Sequence, residues 1–446
     1  MAETERSELE RLVIYEAYVR NHTRQGTFSA IIPDLDRIQS MGVDIVWFMP
    51  IHPIGKKHHK GTLGCPYSIS DYRSVNPEYG NLEDFQSLVD EIHAHGMKVM
   101  IDVVFNHAAH DSILAEKYPQ FFHQDDHGHP VTTVPDWSDV IDLKHPQPEL
   151  TNYLADCLSY WVSLGVDGFR CDVASLVPIE VWRDIKSKVE SDCKHVLWLA
   201  ESVHTGFITF RRSISLPAWS DSEIFQVFDL AYDYDIWPIF QAAVAGKVPV
   251  NRYLEMVRFQ QAIYPQKAVK IHYVENHDQR RIAALAPSIE QAKAWTAFAA
   301  FNQGALLIYA GQESAASHTP SLFDREPIEW GNYAMQEFLT TCCQLKKHPL
   351  MGTNQLVINK AEPVIIAAYQ SDGKTLIGIF NTQRVSGMID TILPDGSYLD
   401  LLSNQTIHIH EGKMNAPMDA CVFVISEQLE LSPFFSPLID TDIKPV

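Results

Sequence analysis

Eight apolar runs alternate with helical stretches along about 345 residues, and this alternation limits the fold more than any other feature of the chain. The runs are "LVIYEAYVR", "VDIVWFMPI", "KVMIDVVFNH", "VDGFRCDVA", "HVLWLAES", "IFQVFDLAY", "KAVKIHYVENHD" and "ALLIYAGQES". They are rich in β-branched and aromatic residues, as buried strands are. Between them lie stretches such as "FSAIIPDLDRIQSMG" and "NLEDFQSLVDEIHAHG", whose apolar residues recur at helical spacing. Alternating strands and helices build a parallel sheet, and eight repeats predict a closed (β/α)8 TIM barrel rather than an open doubly wound sheet.

Two segments break the alternation. Roughly 40 residues of loop character follow the third run, to about Pro148. From about Leu356 the texture becomes short strands separated by "SDGK" and "PDGS" turns. The expected organisation is a catalytic barrel over 1–107 and 149–350, an insertion subdomain over 108–148 after strand 3, and an antiparallel, β-sandwich-like domain over 351–446. The last stretch, "LSPFFSPLIDTDIKPV", reads as an irregular tail.

A net charge of −21 disfavours nucleic acid and anionic membrane surfaces as partners, whereas a neutral substrate suits it. The N-terminal stretch lacks a basic segment followed by an apolar one, and no apolar run reaches the ~20 residues of a membrane span. Seven scattered cysteines without a CxxC read as free thiols, and a cytoplasmic location is expected.

Polar residues gather at the ends of the runs. They include Asn106 and His107, Arg170 and Asp172, Glu201, Asp229, His277 and Asp278, and Glu313. In a barrel the C-terminal strand ends share one face, where active sites are built. Arg170 and Asp172 are two apart and point the same way. Asp172, Glu201 and Asp278 end three different runs. Carboxylates buried there are costly unless paired or used.

Glycoside hydrolysis is chemistry that needs paired carboxyls and no metal cage. One carboxylate attacks or stabilises the anomeric carbon, and a protonated one donates to the leaving oxygen. Arg170 is expected to hold down the pKa of Asp172, while Glu201, without such a partner, keeps its proton.

Four stretches carry a resemblance to a known family: "DVVFNH" at 102–107, "GFRCDVAS" at 168–175, "WLAES" at 198–202 and "VENHDQ" at 274–279. They resemble motifs of the α-amylase family of glycoside hydrolases, in that family's order, at the third, fourth, fifth and seventh runs. The resemblance covers essentially the whole chain. It implies a retaining hydrolase of α-1,4 bonds in maltodextrins, with Asp172 as nucleophile, Glu201 as acid/base and Asp278 as the third acid. It further implies that Tyr67, His107, Arg170 and His277 bind the sugar, an oligosaccharide unit, and that Asp102 is structural. Arg281 sits where some family glucosidases carry a substrate-binding arginine. No cofactor is expected. Structural Ca²⁺ is possible but not expected, because Ser175 and Leu176 replace a Lys-His pair that many starch-cleaving members carry, although Asn106 and Asp142 still match ligands.

Two rival readings remain open, a glucanotransferase and an α-1,6-acting glucosidase (Val173 resembles that branch), whereas intact Asp172, Glu201 and Asp278 argue against a non-enzymatic transporter-associated subunit. Trp137, Phe121 and Tyr232 are candidates for stacking on sugar, with core packing the alternative for each.

Overall fold

A computed structural model of the chain describes residues 3–192, 196–352, 356–358 and 363–430. Eight parallel strands form a closed barrel: β1 (Val13–Ala17), β2 (Ile45–Phe48), β3 (Lys98–Val103), β4 (Gly168–Cys171), β5 (Leu197–Ala200), β6 (Leu230–Ala231), β7 (Val269–His272) and β8 (Ala305–Tyr309). Each strand pairs with its sequence neighbours, and β1 closes on β8 with Val13 opposite Leu306. Every strand falls inside one of the eight apolar runs. Both faces of these strands are covered, so the runs are apolar almost throughout rather than alternating.

The surrounding helices follow their sequence signals. Leu82–Ala94 buries Phe85, Leu88, Val89 and Ile92, an i, i+3, i+4, i+7 stripe, and starts at an Asn81–Asp84 capping box. Gly168 opens β4 where a Cβ would stand only 3.0 Å from the Leu197 carbonyl oxygen, so the close approach of β5 favours glycine.

After β3 the chain leaves the barrel. The excursion contains a short antiparallel pair, His107–Ala109 with Val140–Asp142, and the helix Ile113–Lys117. Returning at Asp142 places it opposite His107.

The C-terminal part is antiparallel. Val357–Ile358, β9 (Ile365–Ser371), β10 (Lys374–Phe380) and β11 (Ala420–Ile425) form one sheet, in that order. Alternation divides its two faces. Ile365, Ala367, Tyr369, Leu376 and Phe380 join the core shared with the barrel. Ile366, Ala368, Ile377 and Ile379 build a second core, closed by residues including Ile389, Ile409 and Met414 from two strand pairs. The seam is aromatic: Phe380 lies 5.2 Å from Phe298 and 5.4 Å from Phe301 between ring centroids. The expected tail, Leu431 to Val446, lies outside the described residues.

Candidate active site

The site grows from strand register. Asp102 on β3 pairs directly opposite Arg170 on β4. Arg170 Nη1 therefore donates to both Asp102 oxygens, at 3.0 and 3.1 Å. The same nitrogen donates to Asp172 Oδ1 at 2.9 Å, one residue past the end of β4. The i, i+2 relation thus brings Arg170 and Asp172 together. Its Nε donates to the Tyr232 hydroxyl at 3.3 Å. The guanidinium is fully buried and stands 5.3 Å from the Trp47 ring, 5.6 Å from Tyr67 and 5.3 Å from Tyr232. A buried guanidinium is tolerated when its charge is paired this closely with carboxylates.

Glu201 follows β5. Its Oε2 accepts from the Val173 backbone N–H at 2.7 Å, and Oε1 stands 3.1 Å from Arg170 Nη2, an ion pair without an aligned hydrogen bond. The expectation that Glu201 lacks a cationic partner is therefore wrong. β4 and β5 pair side by side with Arg170 opposite Leu199, so a single arginine reaches both strand ends. Burial still dominates: it pushes the Glu201 carboxyl up to about 7, with Arg170 opposing. Asp172 also ends above its ordinary value, because burial outweighs the lowering by Arg170. The expected depression of Asp172 is thus not the net result; what Arg170 does is offset part of the burial.

Val173, between the two carboxyls, adopts φ +35° and ψ +45°. A β-branched residue rarely takes this left-handed conformation. Here it turns the amide of residue 173 toward Glu201.

His277 and Asp278 follow β7. His277 Nδ1 contacts the buried Glu16 carboxylate, and Nε2 lies 3.1 Å from Asp278 and 2.8 Å from the Tyr67 hydroxyl. Against the cost of burial, Asp278 and Glu16 raise the His277 pKa well above its usual range. In return, and against its own desolvation, Asp278 is held below the ordinary carboxylate range by His277. The Asp278 side chain is 37% exposed, whereas those of Asp172 and Glu201 are 9% and 8% exposed. Tyr67 stacks on His277 at 5.6 Å and 19°, and its hydroxyl donates to Asp102 at 3.0 Å. Thus Tyr67, Arg170, Asp172, Glu201, His277 and Asp278 join one network around Asp102. His107 lies at the base of the insertion, buried, with Trp137 at 5.3 Å.

Several sequence candidates fall elsewhere. Asp229 precedes β6 and turns outward, pairing with Lys186 at 3.1 Å and accepting from the Trp198 N–H. It belongs to the outer layer, because β6 is short and starts after it. Arg281 is fully buried, pairs with Glu275 at 2.6 Å, donates to the Ala310 and His318 carbonyls and lies 4.0 Å from the Tyr309 ring. Its donors are committed to the scaffold, so it does not face a ligand. Tyr232 and Phe121 are core residues, while Trp137 is half-buried. Glu313 is buried with Arg37 and the Tyr15 hydroxyl, both at 2.7 Å. Glu16 was missed; a single acid inside the first apolar run was the available signal.

The donor set near Asp142 does not suit calcium. Its carboxylate already accepts from the Thr133 N–H and hydroxyl and the Thr132 hydroxyl, and the Arg211 guanidinium donates to that Thr133 hydroxyl at 2.8 Å. Among the described residues no cluster of three or more His, Cys, Asp or Glu side chains could hold a metal ion. The six described cysteines are free thiols.

Residues 14–127 and 134–339 match the family described as alpha amylase, catalytic domain, and 356–423 match the bacterial alpha amylase C-terminal domain. The chain is similar to a solved alpha-amylase of Lactobacillus plantarum, with 38% identity, TM-score 0.90, and coverage of 94% of this chain and 100% of that one. It is also similar to a solved maltogenic alpha-amylase of Thermotoga neapolitana, with 28% identity, TM-score 0.82, and 93% and 99% coverage. An intracellular maltogenic amylase of Bacillus subtilis is 25% identical over 418 residues, 86% of this chain and 67% of the relative. Alpha-amylase MalA of Haloarcula japonica is 28% identical over 314 residues, 68% of this chain and 44% of the relative. The chain thus spans about half to two thirds of the length of these curated relatives.

Proposed function

The chain belongs to the alpha-amylase family, and on that premise we propose that it is a retaining glycoside hydrolase cleaving α-1,4-glucosidic bonds of maltodextrins. Asp172 attacks the anomeric carbon while Glu201 protonates the departing glycosidic oxygen. A covalent glycosyl-enzyme forms, and Glu201 then takes a proton from the incoming water, whose oxygen displaces Asp172. Asp278 grips the ring hydroxyls, and Tyr67, His107, Arg170 and His277 hold the sugar next to the bond that breaks.

One observation carries this reading: two buried carboxyls, Asp172 and Glu201, share the Arg170 guanidinium on unequal terms. The aligned hydrogen bond from Arg170 favours the charge on Asp172 and leaves the proton on Glu201. That is the division of labour the reaction needs.

The same reading puts the protein in the cytoplasm, supported by the printed name of the Bacillus subtilis relative. Among the described residues no helix is long and apolar enough to cross a membrane. Chromatography of products from maltose through maltoheptaose, with isomaltose and panose alongside, tests the activity. Glucose and shorter maltodextrins are expected. Products longer than the substrate would mean that a sugar hydroxyl rather than water resolves the intermediate. Cleavage of isomaltose but not of maltotriose would overturn the linkage.

A further inference from the structure

We propose that Glu16 is a positioning residue for the reaction: from inside the barrel its carboxylate holds the Nδ1 proton of His277, so that the ring carries protons on both nitrogens and aims Nε2–H at Asp278 and the sugar beside it. The proposal rests on the glucan reading above and adds to it a residue that acts through His277.

Glu16 lies on β1, opposite Trp47 of β2 and Tyr309 of β8, and is fully buried. A carboxylate in such a place is costly unless it is paired or used. Two other buried glutamates of the barrel, Glu275 and Glu313, each pair with an arginine, Arg281 and Arg37. Glu16 pairs with none among the described residues. Its Oε1 accepts from His277 Nδ1, and its Oε2 is buried without a hydrogen-bond partner there. Holding His277 is what this acid does.

The other ring nitrogen fixes the proton count. Tyr67 donates its hydroxyl proton to Asp102, so its oxygen accepts from His277 Nε2 at 2.8 Å. Asp278, 3.1 Å from Nε2, is an acceptor too. Nε2 therefore carries a proton, and Nδ1, facing a carboxylate, carries the second.

The surroundings keep the ring in place. Trp47 meets it edge-on at 6.0 Å and 76°, and Tyr67 stacks on it at 5.6 Å and 19°. Of the nearby titratable groups, Asp102 and Asp172 are answered by Arg170, and burial keeps the phenols of Tyr67, Tyr232 and Tyr309 neutral. Asp278 and Glu16 are left as the anions that stabilise the ring's charge, against the cost of burial. A charged donor makes the stronger hydrogen bond, and Nε2 faces the place where Asp278 grips the sugar.

The test is Glu16→Gln, which keeps the shape and removes the charge. In 15N spectra of histidine-labelled wild type, both His277 ring nitrogens are expected to stay protonated from about pH 5 to pH 8. The signal is assigned by its contact with the Trp47 ring and its loss in H277Q. In E16Q one of the two protons should be lost as pH rises through that range. The ratio of wild-type to E16Q kcat/KM on maltotriose is expected to grow about 10-fold over the same range. A ratio that does not change with pH, as a purely structural role would give, overturns the proposal. So does a wild-type His277 that titrates within the range, or one whose Nδ1 carries no proton, which would place that proton on Glu16. The wild-type spectra judge the proposal even where E16Q does not fold. They also need no substrate, so failure of the wild type to cleave maltotriose would count against the activity and leave the reading of Glu16 to the spectra.

Discussion

Arg170 Nη2 stands 3.1 Å from Glu201 Oε1, so the guanidinium that hydrogen-bonds Asp172 also touches the second carboxyl. The two acids are tuned by unequal shares of one cation, not by its presence beside one of them. Burial raises both, and alignment of the hydrogen bond separates them.

Asp172→Asn is expected to lower kcat by ~10⁴-fold or more while the fold persists, because the covalent step loses its nucleophile. Steady-state kinetics with circular dichroism check this. Retention of a tenth of wild-type activity would move the nucleophile elsewhere.

Glu201→Gln is expected to be severely impaired on maltodextrins and less so on an α-glycosyl fluoride, whose leaving group needs little protonation. Azide should then speed turnover, since an anion attacks without a base. In the wild type, NMR should find the α-anomer first, because two displacements restore configuration. A β-anomer appearing first would sink the double displacement.

The pH profile follows from Glu201. It must be protonated to donate, so kcat/KM should fall above about pH 7, by about tenfold per pH unit. Stability has the same sign. The unfolded glutamate ionises near 4.5, whereas the folded one keeps its proton to about 7. This contribution is therefore full below pH 4.5 and declines as pH rises through 7. Glu201→Gln should gain stability relative to wild type at pH 8 compared with pH 4. A denaturant midpoint difference that is equal at both pH values would contradict the shift.

Chelation with EDTA is expected to leave activity and Tm nearly unchanged. The Asp142 carboxylate is already engaged by Thr132 and Thr133, and Arg211 supplies a cation at that junction. A large Tm drop reversed by Ca²⁺ would overturn this.

Arg281→Met should destabilise the fold by roughly 3–5 kcal/mol, because it leaves Glu275 buried without its partner. KM of the folded fraction should hold near wild type. A rise in KM without loss of stability would instead make Arg281 a substrate contact.

The sequence by itself determined the barrel and most of the mouth. Strand runs, helical stripes and caps are local patterns, so β1 to β8 fall within their runs. Arg170 and Asp172 share a side because successive strand residues alternate. What only the tertiary structure decided depends on contacts distant along the chain. Pairing of β4 with β5 carried Arg170 to Glu201, 31 residues on, and barrel closure carried the Glu16 carboxylate to His277, 261 residues away. Packing against other segments paired Asp229 with Lys186 in the outer layer and committed Arg281 to the Ala310 and His318 carbonyls. Strand periodicity says which residues share a face. Closure and the return of the insertion set which faces meet, because those contacts come from packing between segments that local sequence does not connect.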